Sequence, residues 1–325
     1  MGITFSLFYP PAPIFTEQNL PSQKGKVFLV TGGYSGVGYQ LTSILYGAGA
    51  KVYLAGRSKK KAIAAIEEIK SLHRESSNVG DIVFLLLDLA DLSTIKSSVE
   101  EFQQKESHLD VLWNNAGVSY YQTGTKTAQG YELMLGTNCL GPYLLTDLLL
   151  PSLKAAASKS SPGQVRVVWT SSIVVDMSAP KIGIVLSELT SPPSDQSRNY
   201  TNSKTGNWFL ASELGERVKA DGILSITQNP GNLKTNLLRH AGSVLNFFVS
   251  PLLYDSKFGA YTELYAGLSP DLTMDDNGSY IFPWGRKNPK PRKDLLDALK
   301  SENNGGSGIA AKFWEWCEKE TQQFK

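Results

Sequence analysis

Short apolar runs alternate with longer amphipathic stretches along most of the chain. Runs of a few mostly apolar residues, bounded by polar or turn residues, are typical of strands buried on both faces. Such runs occupy positions 27–30, 52–55, 82–87, 111–113, 165–169, 223–227 and 280–282. Stretches with helical length and spacing lie between them, at 36–46, 59–72, 92–102 and 129–157, with another that begins near residue 200. We expect the helix over 129–157 to break near Pro142 or Pro151, because proline interrupts helical hydrogen bonding.

This alternation predicts the α/β class. Strands separated by helices pair in parallel, and the helices cover both faces of the sheet. We therefore expect a doubly wound, seven-stranded parallel sheet in one domain, residues 26–285. An apolar N-terminal arm, residues 1–25, precedes this domain, and an extension with two short helices, residues 286–325, follows it. The aromatic run Phe313-Trp314-Glu315-Trp316 is typical of a helix face packed on a core, and an anchor to a membrane or a partner is the alternative.

Composition narrows the range of partners. The 32 basic and 30 acidic residues give a net charge of +2, which provides no general attraction to nucleic acid or to an anionic membrane. Two cysteines, Cys139 and Cys317, do not make a disulfide framework and are interpreted as buried small hydrophobic residues. The three histidines, His73, His108 and His240, show no metal-ligand spacing, so we expect no metal site.

The N-terminus and the N-glycosylation sequons indicate where in the cell the protein is found. Residues 1–13 are apolar but contain three prolines and no basic region or cleavage site, which is unlike a signal peptide. No apolar run approaches the ~18 residues of a membrane-spanning helix. The sequons at Asn199 and Asn277 are interpreted as chance, because a glycan at Asn199 would cover the neighbouring Tyr200. We expect an intracellular, cytoplasmic protein without an integral membrane segment.

A glycine-rich turn follows the first predicted strand. The sequence Thr31-Gly32-Gly33-Tyr34-Ser35-Gly36-Val37-Gly38 opens the first helix. Glycine permits a tight turn and lets backbone N–H groups approach a phosphate, and the helix N-terminus adds its positive end. The turn is a candidate pyrophosphate site through Gly32, Ser35, Gly36, Val37 and Gly38, although glycine turns are also common in α/β loops without this role.

The ends of the second and third strands bear on cofactor choice. An acidic residue after the second strand would hold the 2′-hydroxyl of NAD, but this chain has Gly56 and Arg57 there, followed by three lysines. A guanidinium suits a 2′-phosphate, so NADP(H) is favoured, and an ordinary solvated helix start is the alternative. Asp88, with Leu89 beside it, is placed to accept from the adenine amino group or to cap the helix that starts near Leu92.

Tyr200 and Lys204 are candidates for acid–base chemistry. Residues four apart on a helix share a face, so both side chains point to one site. An isolated tyrosine has a pKa of about 10. A lysine ammonium nearby favours the phenolate and lowers that pKa, which makes tyrosine a usable proton donor and acceptor. A hydroxyl from Ser171 or Ser172, just after the fifth strand, is placed to orient a carbonyl oxygen.

Together these motifs resemble the short-chain dehydrogenase/reductase family, over roughly residues 26–282. The glycine turn is similar to the cofactor loop of that family, and Asn114-Asn115-Ala116-Gly117 is similar to the motif that steadies the fourth strand and lines the adenine ribose. Asn138, Ser172, Tyr200 and Lys204 match the catalytic tetrad. Pro230-Gly231-Asn232-Leu233-Lys234-Thr235 matches the loop on the nicotinamide side.

The resemblance implies a Rossmann fold and a role for each of these residues. Tyr200 would exchange the proton, and Lys204 would assist it and hold the nicotinamide ribose. Ser172 would orient the substrate oxygen, and Asn138 would hold a water that connects Lys204 to solvent. Asn114 and Gly231 would line the cofactor, and Leu233 and Thr235 would contact its carboxamide and phosphates. The enzyme would act on CH–OH or C=O groups with NADP(H).

Two departures refine the resemblance. Ser172 and Tyr200 are 28 residues apart (200 minus 172), a longer separation than in compact members. An insertion there resembles the branch of retinol-dehydrogenase and protochlorophyllide-reductase-like proteins, and the C-terminal extension resembles fungal members of that branch. The apolar segment 237–253, which includes Phe247 and Phe248, predicts a mobile cover over a hydrophobic ketone, aldehyde or alcohol, with ordinary core packing as the alternative.

Two other functions stay open from the sequence. One is an NADP(H)-binding regulatory or scaffold protein without turnover, which the presence of both Tyr200 and Lys204 disfavours. The other is a membrane-surface retinoid or lipid dehydrogenase, for which the N-terminal arm is the candidate anchor. The oligomeric state is open between monomer and homodimer, because the extension could cover the long helices that pair in many family members.

Overall fold

The fold was analysed in a computed structural model that describes residues 3–119, 122–234, 253–288 and 290–325, with side chains from residue 6 onward. One sheet runs through it, with strand order β3-β2-β1-β4-β5-β6-β7-β8. The strands are β1 Val27–Thr31, β2 Lys51–Gly56, β3 Asp81–Leu86, β4 Val111–Asn114, β5 Val165–Thr170, β6 Ile223–Gln228, β7 Tyr280–Phe282 and β8 Arg286–Lys287. The first seven strands pair in parallel, as the alternation of strands and helices predicted.

The eighth strand was not predicted. Arg286 and Lys287 turn back beside β7 and pair with it in the antiparallel sense, with Phe282 opposite Arg286. The strand was missed because its two residues are charged and carry no apolar pattern. Its pairing register is set by the tight turn over 283–285. The order reverses between β1 and β4, and this change of direction opens a crevice at the carboxyl ends of the strands.

Helices cover both faces of the sheet. The α-helices are α1 Ile3–Phe8, α2 Gly36–Gly47, α3 Lys59–Leu72, α4 Leu92–Lys105, α5 Leu133–Leu135, α6 Gly141–Ala157, α7 Val174–Ser178, α8 Gln196–Val218, α9 Ser256–Leu268, α10 Lys293–Leu299 and α11 Ile309–Thr321. Short 3₁₀ turns lie at Leu186–Leu189, Lys219–Asp221, Met274–Asp276, Glu302–Asn304 and Gln322–Phe324. The helix predicted from near residue 200 begins at Gln196, where the Asp195 carboxylate caps the N–H groups of Ser197 and Arg198.

The long helix predicted over 129–157 starts at Leu133 and does not break at either proline. Its irregularity is a π-helical turn, Gly136–Leu140, that joins α5 to α6. Pro142 lies in the first turn of α6, where an N–H is not needed. Pro151 lies inside the same helix, which continues to Ala157. The prediction of a break at Pro151 was therefore wrong, because the helix is held by packing on both sides. Near Pro142 the helix is irregular, since the π-helical turn ends two residues before that proline.

The interior divides into two layers. Apolar residues of α4, α6 and α8 pack on one face of the sheet, together with Phe313 and Trp314 of α11. Apolar residues of α2 and α9 pack on the other face, around Phe28 and Trp113, whose rings meet edge to face at 5.3 Å.

The N-terminal arm and the C-terminal extension are packed onto the domain. Leu7 of α1 is buried with Trp208, Tyr280 and Leu295. The Trp314 ring meets Tyr143 of α6 edge to face at 4.8 Å, and the Arg217 guanidinium lies 4.4 Å from its centroid. The aromatic run of the extension packs on the core, as the sequence predicted.

The helical segment Leu133–Ala157 is long and apolar enough to cross a membrane by length and composition. Its most apolar window is 83% buried inside the protein. Such burial is that of a core helix, and its neighbours are the sheet, α4, α8 and α11.

Candidate active site

The glycine turn at the end of β1 is closely packed. Gly32 and Gly36 have φ of +68° and +56°, a region that favours glycine. A Cβ at Gly38 would lie 2.5 Å from Asn115 Nδ2 and 2.7 Å from the Gly32 carbonyl oxygen. Side chains therefore do not fit at these positions, where the turn before α2 presents only backbone atoms. Ser35 is the N-cap residue of α2, and Val37 lies in its first turn.

Hydrogen bonds from β4 fix this turn. Asn115 Nδ2 donates to the Thr31 carbonyl oxygen at 2.7 Å, and the Ala116 N–H donates to Thr31 Oγ1 at 2.9 Å. Asn114 is buried, and its Nδ2 donates to Thr146 Oγ1 of α6 at 2.9 Å. Asn114 Oδ1 is buried and has no partner among the described residues, so a polar group beside β4 would be satisfied there.

The end of β2 presents a guanidinium. Arg57 is exposed, and it forms no ion pair within the ranges that the structure describes. The Tyr34 ring covers Gly56 beside it, since a Cβ at Gly56 would lie 2.3 Å from Tyr34 Cε1. The Tyr34 ring and the exposed Arg57 guanidinium therefore lie beside the glycines of this turn.

Asp88 does not cap the following helix. Its Oδ1 accepts from the Ala90 N–H at 2.9 Å, whereas the cap of α4 is Asp91, which accepts from the Ser93 N–H. The capping alternative for Asp88 is therefore wrong. Leu89 is buried, and its backbone is in tight contact with Gly141 at the start of α6.

Tyr200 and Lys204 lie together on one face of α8, as their spacing predicted. Lys204 Nζ is 5.8 Å from the centroid of the Tyr200 ring and donates to the Thr170 carbonyl oxygen at 2.9 Å. Only 3% of Lys204 and 8% of Tyr200 are exposed. Burial lowers the pKa of Lys204 to about 8, while the nearby Cys139 and Glu263 act to raise it. A Cβ at Gly117 would lie 3.2 Å from Lys204 Nζ, so the loop after β4 reaches α8.

Asn138 lies in the π-helical turn, and its side chain is held by three hydrogen bonds. Its Oδ1 accepts from the Val118 N–H at 2.8 Å, and its Nδ2 donates to the Val118 carbonyl oxygen at 3.0 Å. Nδ2 also donates to Ser203 Oγ of α8 at 3.0 Å. The side chain thus joins the loop after β4 to α8. π-Helical turns are often found where a helix serves a functional site.

The two serines after β5 have different surroundings. Ser171 is buried, and its hydroxyl donates to the Lys204 carbonyl oxygen at 2.8 Å. Ser172 is half-buried, and its carbonyl oxygen accepts from the Tyr280 hydroxyl at 2.8 Å. Ser171 is therefore engaged with the backbone of α8, and Ser172 is the more accessible hydroxyl.

The predicted insertion between Ser172 and Tyr200 contains α7 and a 3₁₀ turn. The Arg198 guanidinium holds the Glu188 carboxylate in two hydrogen bonds, at 2.9 and 3.0 Å. Asn202 Nδ2 donates to the same carboxylate at 2.6 Å, and these bonds keep the pKa of Glu188 below its usual value. The insertion is therefore fastened to the helix that carries Tyr200.

The loop after β6 is described only in part. Gly231 has φ of +92°, and its N–H donates to Asn229 Oδ1 at 3.0 Å. Leu233 is buried against Val37 and Gly259, which brings this loop to the glycine turn. Thr235 and nearly all of the predicted cover, residues 237–252, lie outside the described residues.

Comparison with known proteins identifies the family. The family described as short chain dehydrogenase matches residues 26–244. A short-chain dehydrogenase/reductase of Pestalotiopsis fici is 45% identical over 315 residues, which cover 96% of this chain and 95% of the relative. One of Phomopsis amygdali is 47% identical over an alignment of 326 positions, which covers 97% of this chain and 95% of the relative. This chain belongs to the short-chain dehydrogenase/reductase family. The resemblance found in the sequence, including the likeness to fungal members, is confirmed.

Solved structures agree with this short-chain dehydrogenase/reductase fold. An uncharacterised protein of Mycobacterium paratuberculosis is 30% identical, with a TM-score of 0.69 over 95% of this chain and 97% of its own. The NADPH-bound carbonyl reductase from chicken fatty liver is 21% identical, with a TM-score of 0.61 over 83% and 99%. The 3-oxoacyl-[acyl-carrier protein] reductase of Brucella melitensis, in complex with NAD, is 20% identical, with a TM-score of 0.62 over 81% and 97%. Members of this family are oxidoreductases that use a nicotinamide cofactor.

Sequence reasoning missed a polar cluster behind Lys204 in this short-chain dehydrogenase/reductase. Thr170 of β5, Gln228 of β6 and Glu263 of α9 are buried side chains joined by hydrogen bonds. One signal was present, because Glu263 is a charged residue in a part of α9, residues 258–268, whose other residues are uncharged. A charged residue type on a buried helix face is uncommon without a specific partner.

Proposed function

We propose that the protein is an NADP(H)-dependent oxidoreductase that interconverts a hydrophobic ketone or aldehyde and its alcohol. The single observation that carries this proposal is the buried Lys204 ammonium, 5.8 Å from the Tyr200 ring, at the sheet edge that also holds the glycine turn. A positive charge in a site with little water acts strongly on a neighbouring phenol.

The residues fit a dinucleotide. Gly32, Gly36 and Gly38 present backbone without side chains at the N-terminus of α2, where N–H groups can approach a pyrophosphate. Asn114 Oδ1 offers an acceptor without a partner among the described residues. When bound, the cofactor supplies or accepts the hydride at the carbonyl carbon.

The chain's own residues supply the proton and the orientation. In reduction, the Tyr200 hydroxyl donates its proton to the carbonyl oxygen as the hydride reaches the carbon, and in oxidation both transfers reverse. Lys204 stabilises the phenolate that forms. Ser172 donates to the substrate oxygen, and Ser171 is not available for this because its hydroxyl is bound to the Lys204 carbonyl oxygen. Asn138 holds the loop at Val118 against α8, which keeps the site closed on that side.

Preference for NADP(H) is supported by the end of β2. Arg57 is exposed and forms no ion pair with any described residue, and no acidic residue follows Gly56 to take a 2′-hydroxyl. A guanidinium matches a phosphate in two parallel hydrogen bonds. A hydrophobic substrate is supported by the apolar sequence of 237–253 and by Ile173 and Val174, which follow Ser172.

The test is a reductase assay with the full chain. NADPH oxidation is followed with a panel of apolar ketones and aldehydes, with NADH as the control cofactor, and NADPH binding is measured separately by fluorescence. We expect turnover with at least one apolar carbonyl compound and faster turnover with NADPH than with NADH. Tight NADPH binding without turnover across the panel, or in the reverse direction with the alcohols, would instead support a binding protein.

A further inference from the structure

A carboxyl group without solvent contact lies behind the Lys204 side chain. Glu263 of α9 is 0% exposed. Its Oε1 accepts from Thr170 Oγ1 at 2.9 Å and from Gln228 Nε2 at 3.1 Å. Thr170 is the residue whose carbonyl oxygen accepts from Lys204 Nζ at 2.9 Å and from Asn207 Nδ2 at 2.8 Å. One residue therefore connects the buried acid to the ammonium beside Tyr200.

The hydrogen-bond count in this cluster is incomplete unless Glu263 carries a proton. Glu263 Oε2 and Gln228 Oε1 are both buried, and neither has a partner in the described part of the chain. A carboxylate and an amide oxygen are both acceptors, so the two cannot satisfy one another. A protonated carboxyl turns Oε2 into a donor for Gln228 Oε1. Together with the bond from Gln228 Nε2 to Glu263 Oε1, this closes a cyclic acid–amide pair and removes two unsatisfied acceptors.

Burial favours this proton on Glu263 more strongly than the nearby Lys204 charge opposes it. Burial raises the pKa of Glu263 to about 8, against the smaller opposing effects of Thr170 and Lys204. Lys204 is the charged side chain that acts on it, and its ammonium is bonded to the Thr170 carbonyl rather than to the carboxyl. From β4, the Trp113 indole donates to the Glu263 backbone oxygen at 2.9 Å.

The other titratable side chains on α9, and on the elements packed against it, make their contacts away from the Glu263 carboxyl group. Arg166 of β5 donates to the Ala266 and Ser269 carbonyl oxygens, and Tyr280 of β7 donates to Ser172. On α2, Tyr39 lies near Glu68 and Tyr46 packs on His73. On α9 itself, Lys257 and Tyr261 face Glu17, and the Tyr265 ring packs against Phe15.

We propose that Glu263 is a neutral carboxylic acid at neutral pH and a positioning residue for the Tyr200–Lys204 pair, holding Thr170 so that its carbonyl oxygen meets the Lys204 ammonium. The second half of this proposal rests on the proposed function, and the first half does not. A carboxylate at Glu263 would draw the ammonium away from Tyr200. A neutral acid holds Thr170 in place and leaves the positive charge to act on the phenol.

Folding stability tests the proton without reference to activity. Unfolding by denaturant is measured from pH 5 to pH 8 for the unmodified chain and for Glu263→Gln, which keeps the shape and the acid–amide pairing but needs no proton. An acid whose pKa is raised on folding stabilises the protein below its unfolded pKa, and this contribution is lost as pH rises toward the folded pKa. The folding equilibrium constant of the variant, relative to the unmodified chain, should therefore rise about tenfold per pH unit across the middle of this window.

The matched control is Glu67→Gln, an exposed glutamate on α3, for which the ratio should stay flat with pH. A flat or falling ratio for Glu263→Gln would show that Glu263 is ionised in the folded protein and would overturn the proposal. A rising ratio supports the neutral acid even if the chain turns over no carbonyl substrate.

Kinetics test the positioning role. Glu263→Leu and the nearly isosteric Thr170→Val remove the link to Thr170, and each should lower kcat on the order of tenfold to 10²-fold by displacing Lys204. Glu263→Gln should restore most of the kcat lost in Glu263→Leu. The unmodified enzyme should also show two ionisations near pH 8 in its kcat profile, one from Glu263 and one from Lys204, whereas Glu263→Gln should show the Lys204 ionisation alone. Equal loss in the Gln and Leu variants, or identical pH profiles for the unmodified enzyme and Glu263→Gln, would contradict the positioning role.

Discussion

The Lys204 side chain is almost fully buried, and this burial determines how its charge acts on the neighbouring residues of the site. Its charge is met by the Thr170 carbonyl rather than by a carboxylate, so it remains available to Tyr200. Burial lowers the pKa of Lys204 to about 8, so the ammonium form predominates at pH 7. The charge and the phenol face one another because they lie one helical turn apart.

Arg57 allows a prediction about cofactor choice. Arg57→Asp should reverse or abolish the preference for NADPH over NADH, because the substitution replaces a charge-assisted contact with a repulsion. Dissociation constants for both cofactors check this. Lys70→Asp makes the same change of charge at the far end of α3 and should leave the ratio unchanged. An unmodified chain that binds NADH more tightly than NADPH would refute the assignment.

The residues that sequence reasoning found and those it missed differ in a physical way. Tyr200, Lys204 and the glycines belong to short motifs with fixed spacing, so the sequence alone located them. The distinction between Ser171 and Ser172 depends on which hydroxyl reaches the backbone of α8, and only the structure supplies that. Glu263 is 59 residues beyond Lys204 (263 minus 204), and no local pattern brings it to Thr170.

At the level of elements, packing decides what local propensity does not. Two prolines in the segment 133–157 suggested a break, but the helix is buried between the sheet and its neighbours and continues past both. The irregularity falls instead at Gly136–Leu140, where the π-helical turn places Asn138 between Val118 and Ser203. The sequence identified Asn138 as a candidate site residue but did not predict the π-helical turn that contains it.

Helix α11 allows a prediction about stability. Phe313 is 0% exposed, and its ring lies against Gly206 of α8 and 6.4 Å from the Phe209 centroid. Phe313→Ala should lower the free energy of unfolding by about 3–5 kcal/mol through loss of burial and the cavity left behind. Glu315→Ala, at an exposed position of the same helix, is the control and should change it by less than about 0.5 kcal/mol. Equal small effects would mean that the extension is not part of the folded core.

For the whole molecule, the parallel sheet explains why distant motifs form one site. Carboxyl ends of parallel strands meet at one edge, so the turns after β1, β2, β4, β5 and β6 converge there, and this much follows from the sequence pattern. The antiparallel strand β8 does not follow from the sequence pattern, because its two charged residues, paired with β7 through a tight turn, carry no apolar signal. The C-terminal helix α11 covers α6 and α8 in this chain. The predicted cover over 237–253 stays a prediction, since all but Leu253 of that segment lies outside the described residues.

The central claim is that Tyr200 exchanges the substrate proton in a nicotinamide-dependent reaction. The most direct measurement compares kcat and the NADPH dissociation constant of Tyr200→Phe with those of the unmodified enzyme, on its best carbonyl substrate. Tyr46→Phe, which removes a hydroxyl from a buried ring beside His73, serves as the control. The account predicts nearly unchanged NADPH binding and a kcat lower by about 10²–10⁴-fold in Tyr200→Phe, with little change in the control. A Tyr200→Phe variant that keeps the kcat of the unmodified enzyme would contradict it.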